Sequence, residues 1–269
     1  YYINKNIKVR QLNIGSTYVK FIVMRWKTLV NNHYYFVSTR TWFHILLRVY
    51  FTVFLSLSLC TSLWAGTEGI VVGGFSNNTL VDWKVKVFSG ETRYNLVKEM
   101  KATGKKSGAV TVLKAVSHAS ASGLVKKIRV DLEKTPFLQW RWKVAKRIPV
   151  QNERNKEQDD YAARVYVIVD GGFFAWNTMA LNYVWANGVN KGVRWDNAFA
   201  PKHSKMIALR SKGDEIQHWY AEKRDVRDDF ERSFGKGVRY IDVIAIMSDT
   251  DNTSSSAESY YGDIIFTEE

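Results

Sequence analysis

The sequence predicts an all-β sandwich, and three of its features do so. Short β-like runs recur from Ile70 onward, many of them alternate apolar with polar residues, and only one segment shows a helical period. The runs are 83–88, 93–100, 109–119, 124–132, 138–144, 161–170, 179–186, 205–211, 217–224, 241–247 and 261–266. About eleven strands at this spacing, joined by short connectors, fit a sandwich or a barrel.

The alternation is clearest in two runs. In 138–144, Leu138, Trp140, Trp142 and Val144 take one side, and Gln139, Arg141 and Lys143 the other. In 161–170, Tyr161, Ala163, Val165, Val167 and Val169 share a face, which leaves Arg164 with Ala162, Tyr166 and Ile168. A period of two is the mark of a strand with one face in a core. The connectors SGE (89–91), ATGKKSG (102–108) and DGG (170–172) supply turn residues. The exception, DVRDDFERSFG (225–235), spaces Val226, Phe230 and Phe234 by four, with Asp225 as N-cap and Gly235 as stop, and predicts one short helix. Neither an internal repeat nor a long linker divides 66–269, which reads as a single β-sandwich domain. Hydrophobic residues at 46% and only three prolines suit a real core.

The first 65 residues read differently. They hold eight Lys or Arg and no acid. Of the 39 basic and 26 acidic residues in the chain, this leaves 31 against 26 in the remainder, a net of +5. That mild excess gives no reason to invoke nucleic acid. Residues 1–23 read as upstream read-through ahead of a start at Met24. Residues 24–65 then run from a basic flank (Arg25, Lys27, Arg40, Arg48) into the charge-free VYFTVFLSLSLCTSLWA (49–65). That order is a signal peptide's; the 19 charge-free residues 49–67 also nearly suffice for an N-terminal anchor. The expectation is export to the periplasm, with membrane contact only through this segment if it is retained. The single cysteine, Cys60, lies inside it, so the domain is expected to have neither a disulfide nor a cysteine-based metal site.

Chemistry-bearing residues gather in a few places. Asp159 and Asp160 lead DDYAARVYV; they read as a carboxylate pair at a strand mouth, or more plainly as an entry turn pairing Arg164 or Lys156. Arg164, among apolar neighbours, must be paired or face a cleft, and Asp160 lies four residues before it. The aromatic load (Trp140, Trp142, Trp176, Tyr183, Trp185, Trp195, Trp219) suits sugar stacking or a core; Trp140 and Trp142 read as core, Trp176 and Trp195 as exposed. Near the end, MSDTDNTSSSAESYYGDIIF (247–266) starts like a calcium loop, yet its sixth position is Ser254 instead of Gly and its twelfth Tyr260 instead of Glu. What remains is a looser Ca2+ site on Asp249 and Asp251, set against an Asx-rich turn feeding a closing strand anchored by Asp263. No nucleophile elbow, His-Glu-x-x-His or phosphate loop occurs.

Two resemblances add to this. The order GFSNNTLVDWKV, GAVTVLKAVSHASASGLVKKIRVDLEKTPFLQWRWKV and the closing pair IDVIAIM and YYGDIIF resembles the galactose-binding-like jelly roll, a layout shared by carbohydrate-binding modules and complex I intermediate-associated proteins. More closely, WRWKV (140–144), DDYAARVYV (159–167), ALNYVWA (180–186), the W…EKRDVRDDFERSFG run (219–235), DTDNT (249–253) and YYGDIIF (260–266) resemble the bacterial family called domain of unknown function 3047. The first resemblance implies a non-catalytic saccharide- or envelope-glycan-binding protein. Its ligand is expected against a sheet face or loop end carrying Asp160, Arg164, Asn182, Trp185, Asp249, Asp251 and Asn252. Two further readings stand beside it. One is an envelope polysaccharide hydrolase using Asp159, Asp160 and Asp249; the other is a scaffold or assembly factor acting through protein contacts.

Overall fold

In the computed structural model, residues 69–100, 108–172 and 177–269 are described; they belong to a compact unit, Gly66–Glu269. Residues 1–65 and Trp176 lie outside the described residues, so the leader segments and the exposure of Trp176 have no structural account. Among the described residues no helix is long and apolar enough to cross a membrane.

Among the described residues, fourteen strands form two seven-stranded sheets. The first contains β1 (Ile70–Gly73), β3 (Arg93–Met100), β4 (Ala109–His118), β6 (Phe137–Lys146), β11 (Tyr220–Asp225), β13 (Ser256–Tyr261) and β14 (Ile264–Thr267). Its order is β1-β14-β6-β13-β4-β3, with β11 on the opposite edge of β6. The second sheet runs β2 (Trp83–Ser89), β5 (Ala121–Asp131), β12 (Tyr240–Asp249), β7 (Arg164–Val169), β8 (Met179–Trp185), β10 (Ser204–Arg210) and β9 (Arg194–Asp196). Pairing is antiparallel throughout except β8 with β10. The architecture is an all-β jelly-roll sandwich, as the strand spacing predicts.

The eleven expected runs all become strands, and three more join them. β1 and β9 have four and three residues, too few for a period to show. β13 reads as a polar loop because its sequence, SAESYY, hides Ser259 inside and keeps Glu258 on the outer face. It is separated from β14 by Gly262–Asp263, so the stretch 261–266 is the end of one strand and the start of the next. The helix α1 (Val226–Phe234) forms where the spacing of Val226, Phe230 and Phe234 places it. The Asp225 carboxylate accepts the Asp228 N–H, and Gly235 ends the helix in the left-handed conformation.

Alternation puts Leu138, Trp140, Trp142 and Val144 of the first sheet against Val165, Val167, Tyr183, Trp185, Ile244 and Ile246 of the second. Aromatic rings fill the interlayer space: Trp140 lies 5.4 Å from Tyr183, Trp142 6.0 Å from Trp185, and Trp185 5.5 Å from Tyr220, between ring centroids. Burying each such side chain contributes about 1.5–3 kcal/mol, which a chain without disulfides needs.

Candidate functional site

The strand register of the second sheet assembles its outer face row by row. Lys86, Gly123, Met247, Arg164 and Val184 stand side by side; next to them come Lys84, Val125, Ala245, Tyr166 and Asn182; then Lys127, Val243, Ile168 and Ala180. Bordered by these rows and by Asp170 and Thr178 lies a cavity of about 420 Å3. Val125, Val243, Ala245, Ile168 and Met247 give it an apolar floor, Phe88 and Tyr166 aromatic walls, and Lys86, Lys127, Asp170 and Thr178 a polar rim. Phe88 is 61% exposed, so its ring face is open to an incoming group. The Lys86 ammonium lies 5.2 Å from the centre of its ring.

At the end of the same face, behind Tyr166, the acid-rich segments meet. Asp160, Asp249 and Asp251 bring carboxylate oxygens within 4.8 Å of one another, so these are the residues that could hold a metal. Other partners already engage two of them. Arg164 Nη1 donates to Asp249 Oδ2 at 2.6 Å, with both side chains buried, while Asp249 Oδ1 accepts the Tyr161 N–H. The Arg164 guanidinium also stacks between Tyr161 and Tyr166, 4.5 and 5.1 Å from their ring centres. Asp160 accepts four donors from the 252–253 turn: the N–H and side-chain amide of Asn252, and the N–H and hydroxyl of Thr253. It therefore folds that loop onto the start of the 160s segment. Asp159, also buried, accepts from Asn197 Nδ2 at 3.2 Å.

Electrostatics follow from this crowding. Burial pushes the Asp249 carboxyl up to about 8; Arg164 opposes the shift, and Asp159, Asp160 and Asp251 add to it. Burial likewise raises Asp159 and, less enclosed, Asp251. For Arg164, burial works against the charge but Asp249 more than offsets it, so the guanidinium stays protonated.

The expected ligand residues thus divide. Asp160, Arg164, Asp249, Asp251 and Asn252 converge; Asn182 and Trp185 do not join them. Trp185 is fully buried on the core side of β8, between Trp142 and Tyr220, because its parity matches Leu181 and Tyr183. Asn182 faces outward but is fully buried, donating to Ser204 Oγ at 2.7 Å. Neither can touch a ligand. The partner of Arg164 is Asp249 from β12, eighty-five positions away, and Asp160 instead caps a turn. The three acids of the hydrolase reading, Asp159, Asp160 and Asp249, are all buried. Trp195 is half-buried on edge strand β9, with Arg154 6.0 Å over its ring. The cavity residues Lys86 and Phe88 of β2 and Lys127 of β5 escape sequence reasoning because they meet the rest of the cavity only through register.

The fold and this face define a jelly-roll sandwich with an aromatic-walled cavity on one sheet. The chain belongs to the family described as Protein of unknown function (DUF3047), whose profile matches residues 81–265. A search of curated proteins returned no match. Among solved structures, the chain is similar to the K2 cleaved adhesin domain of Lys-gingipain (TM-score 0.37, 13% identity, 74% of this chain and 98% of that one). It is also similar to a family 11 carbohydrate-binding module of a Clostridium thermocellum cellulosomal cellulase (0.36, 11%, 76% and 96%). A third is the xyloglucanase domain of NopAA from Sinorhizobium fredii (0.35, 11%, 71% and 100%). With TM-scores below 0.5, none of these likenesses bears on function.

Proposed function

We propose that the protein is an exported, non-catalytic sandwich that binds a saccharide or envelope glycan in the cavity on the outer face of the second sheet. One observation carries this reading: the cavity of about 420 Å3 joins an apolar floor and two aromatic rings to a rim of Lys86, Lys127, Asp170 and Thr178. Sugar C–H faces stack on rings such as Phe88 and Tyr166, while hydroxyls take up separated polar groups at the edge. The basic flank and charge-free run of 24–65 support export.

The acid cluster contributes by holding the wall. Arg164 is wedged against Tyr166 by Asp249, and Tyr166 in turn donates to Met247 Sδ at 3.6 Å, so ring and floor are fixed from behind. A glycan array of cell-envelope oligosaccharides followed by calorimetry tests the proposal. Saturable binding that weakens about tenfold or more in Phe88→Ala is expected; a blank array, or binding indifferent to that substitution, would count against it.

A further inference from the structure

A second cavity, of about 430 Å3, lies on the outer face of the first sheet. The register of β6 puts Gln139 beside Ile265 and Arg141 beside Ala221 on that face. Glu222 also borders the cavity but stands opposite Trp140, so its carboxylate turns to the other side of the sheet. There Trp142 Nε1 and Arg210 Nε donate to it at 2.9 and 2.6 Å. Asp263 is likewise committed, accepting the Ser76 N–H and hydroxyl at 2.8 and 2.5 Å.

Arg141 is different. Among the described residues no carboxylate lies within ion-pair distance of it, and no hydrogen-bond acceptor meets its guanidinium; that group stacks on Trp219, 4.8 Å from the ring centre. Its course is set by the break between β13 and β14. A Cβ on Gly262 would come within 2.5 Å of Arg141 Cγ and Nε, so only glycine lets the side chain cross there. Gly262 N–H meanwhile donates to the Arg141 carbonyl at 2.8 Å, which keeps the sheet continuous through the break. The result is a planar cation, stacked on one side and braced below, with its donor edge uncommitted in a cavity. That is the arrangement that takes a carboxylate in two parallel hydrogen bonds.

We propose that this cavity is a second binding site, taking the carboxylate of an acidic saccharide on Arg141. Gln139, whose Nε2 donates to Thr267 and to the Glu269 carbonyl, keeps its Oε1 for a neighbouring hydroxyl, and Ile265 suits the sugar's C–H face. The Asp263 charge favours a singly charged ligand such as a uronate over a phosphate dianion. The site is built from other strands than the first cavity and does not depend on it.

The test is calorimetric titration of the full chain with an oligogalacturonide, and with the neutral oligogalactoside of equal length. The acidic sugar is expected to bind about tenfold or more tightly than the neutral one. Arg141→Ala should remove that preference. Arg141→Lys keeps the charge but not the fork and should restore it only in part, and Gly262→Ala, which displaces the side chain, should weaken binding while leaving the arginine in place. Phe88→Ala should change nothing, since it belongs to the other cavity. Equal affinity for the two sugars, an Arg141→Ala protein that keeps the parent's preference for the uronate, absence of uronate binding, or a loss on Phe88→Ala would each overturn the proposal. Thermal unfolding of each variant separates lost binding from lost fold.

Discussion

The two ends of one sheet face make opposite use of polar residues. At the acid-rich end, Asp160 and Asp249 are buried and take donors from Arg164, Tyr161, Asn252 and Thr253. At the cavity end, Phe88, Lys86 and Lys127 are exposed, and among the described residues neither lysine has a carboxylate within ion-pair distance. Carboxylate density is conspicuous in a sequence, but what a surface can bind depends on groups the fold leaves unspent. The acids hold the fold; the cavity is where an incoming molecule can be met.

That contrast can be broken at several points. Asp249→Ala should be the most damaging change, because Arg164 cannot shed its proton and would be left buried without the acceptor that Asp249 Oδ2 gives its Nη1. A loss of about 3–5 kcal/mol is expected in denaturant unfolding. Asp160→Ala removes the acceptor of four donors and should cost about 2 kcal/mol, with faster hydrogen exchange confined to 250–255. A pH effect follows from Asp249. Folded, its carboxyl keeps a proton up to about 8; unfolded, it releases it near the ordinary value of about 3.9. Between those limits the unfolded chain binds fewer protons, so this group's contribution to stability falls as pH rises from about 4 to about 8, then levels. Melting across that range should show the decline, and Asp249→Asn, though less stable throughout, should show a flatter profile. The smallest effect on stability belongs to the cavity: Phe88→Ala should lie within about 0.5 kcal/mol of the parent, since the ring is largely in water.

Much of the fold is legible in the sequence, and for a stated reason. A period of two announces Leu138, Trp140, Trp142 and Val144 as a core face wherever the run is long enough, and the Asp225 and Gly235 caps mark the ends of α1 to the residue. Short or polar strands such as β9 and β13 carry no such signal. The site is legible only in part. That Arg164 needs a partner follows from its apolar neighbours, but which acid supplies it is decided by the β7–β12 register, which brings Met247 opposite Arg164 and Asp249 two residues on. Trp185 misleads because an aromatic in an amide-rich strand looks the same whether it faces a sugar or another tryptophan. Glu153 is missed altogether. In a charged loop it reads as solvated, yet it is fully buried and its carboxylate accepts the N–H groups of Asn187, Gly188 and Val189.

The most direct test of the contrast is a binding titration of the envelope glycan that scores highest on an array, run in parallel on the parent protein, Phe88→Ala and Asp251→Asn. Asp251 is the least enclosed of the three clustered acids, so its substitution leaves the fold in place. The account predicts that Phe88→Ala weakens binding about tenfold or more while Asp251→Asn binds like the parent. Loss of binding in Asp251→Asn with Phe88→Ala unaffected would contradict it, and would move the site from the cavity to the acids.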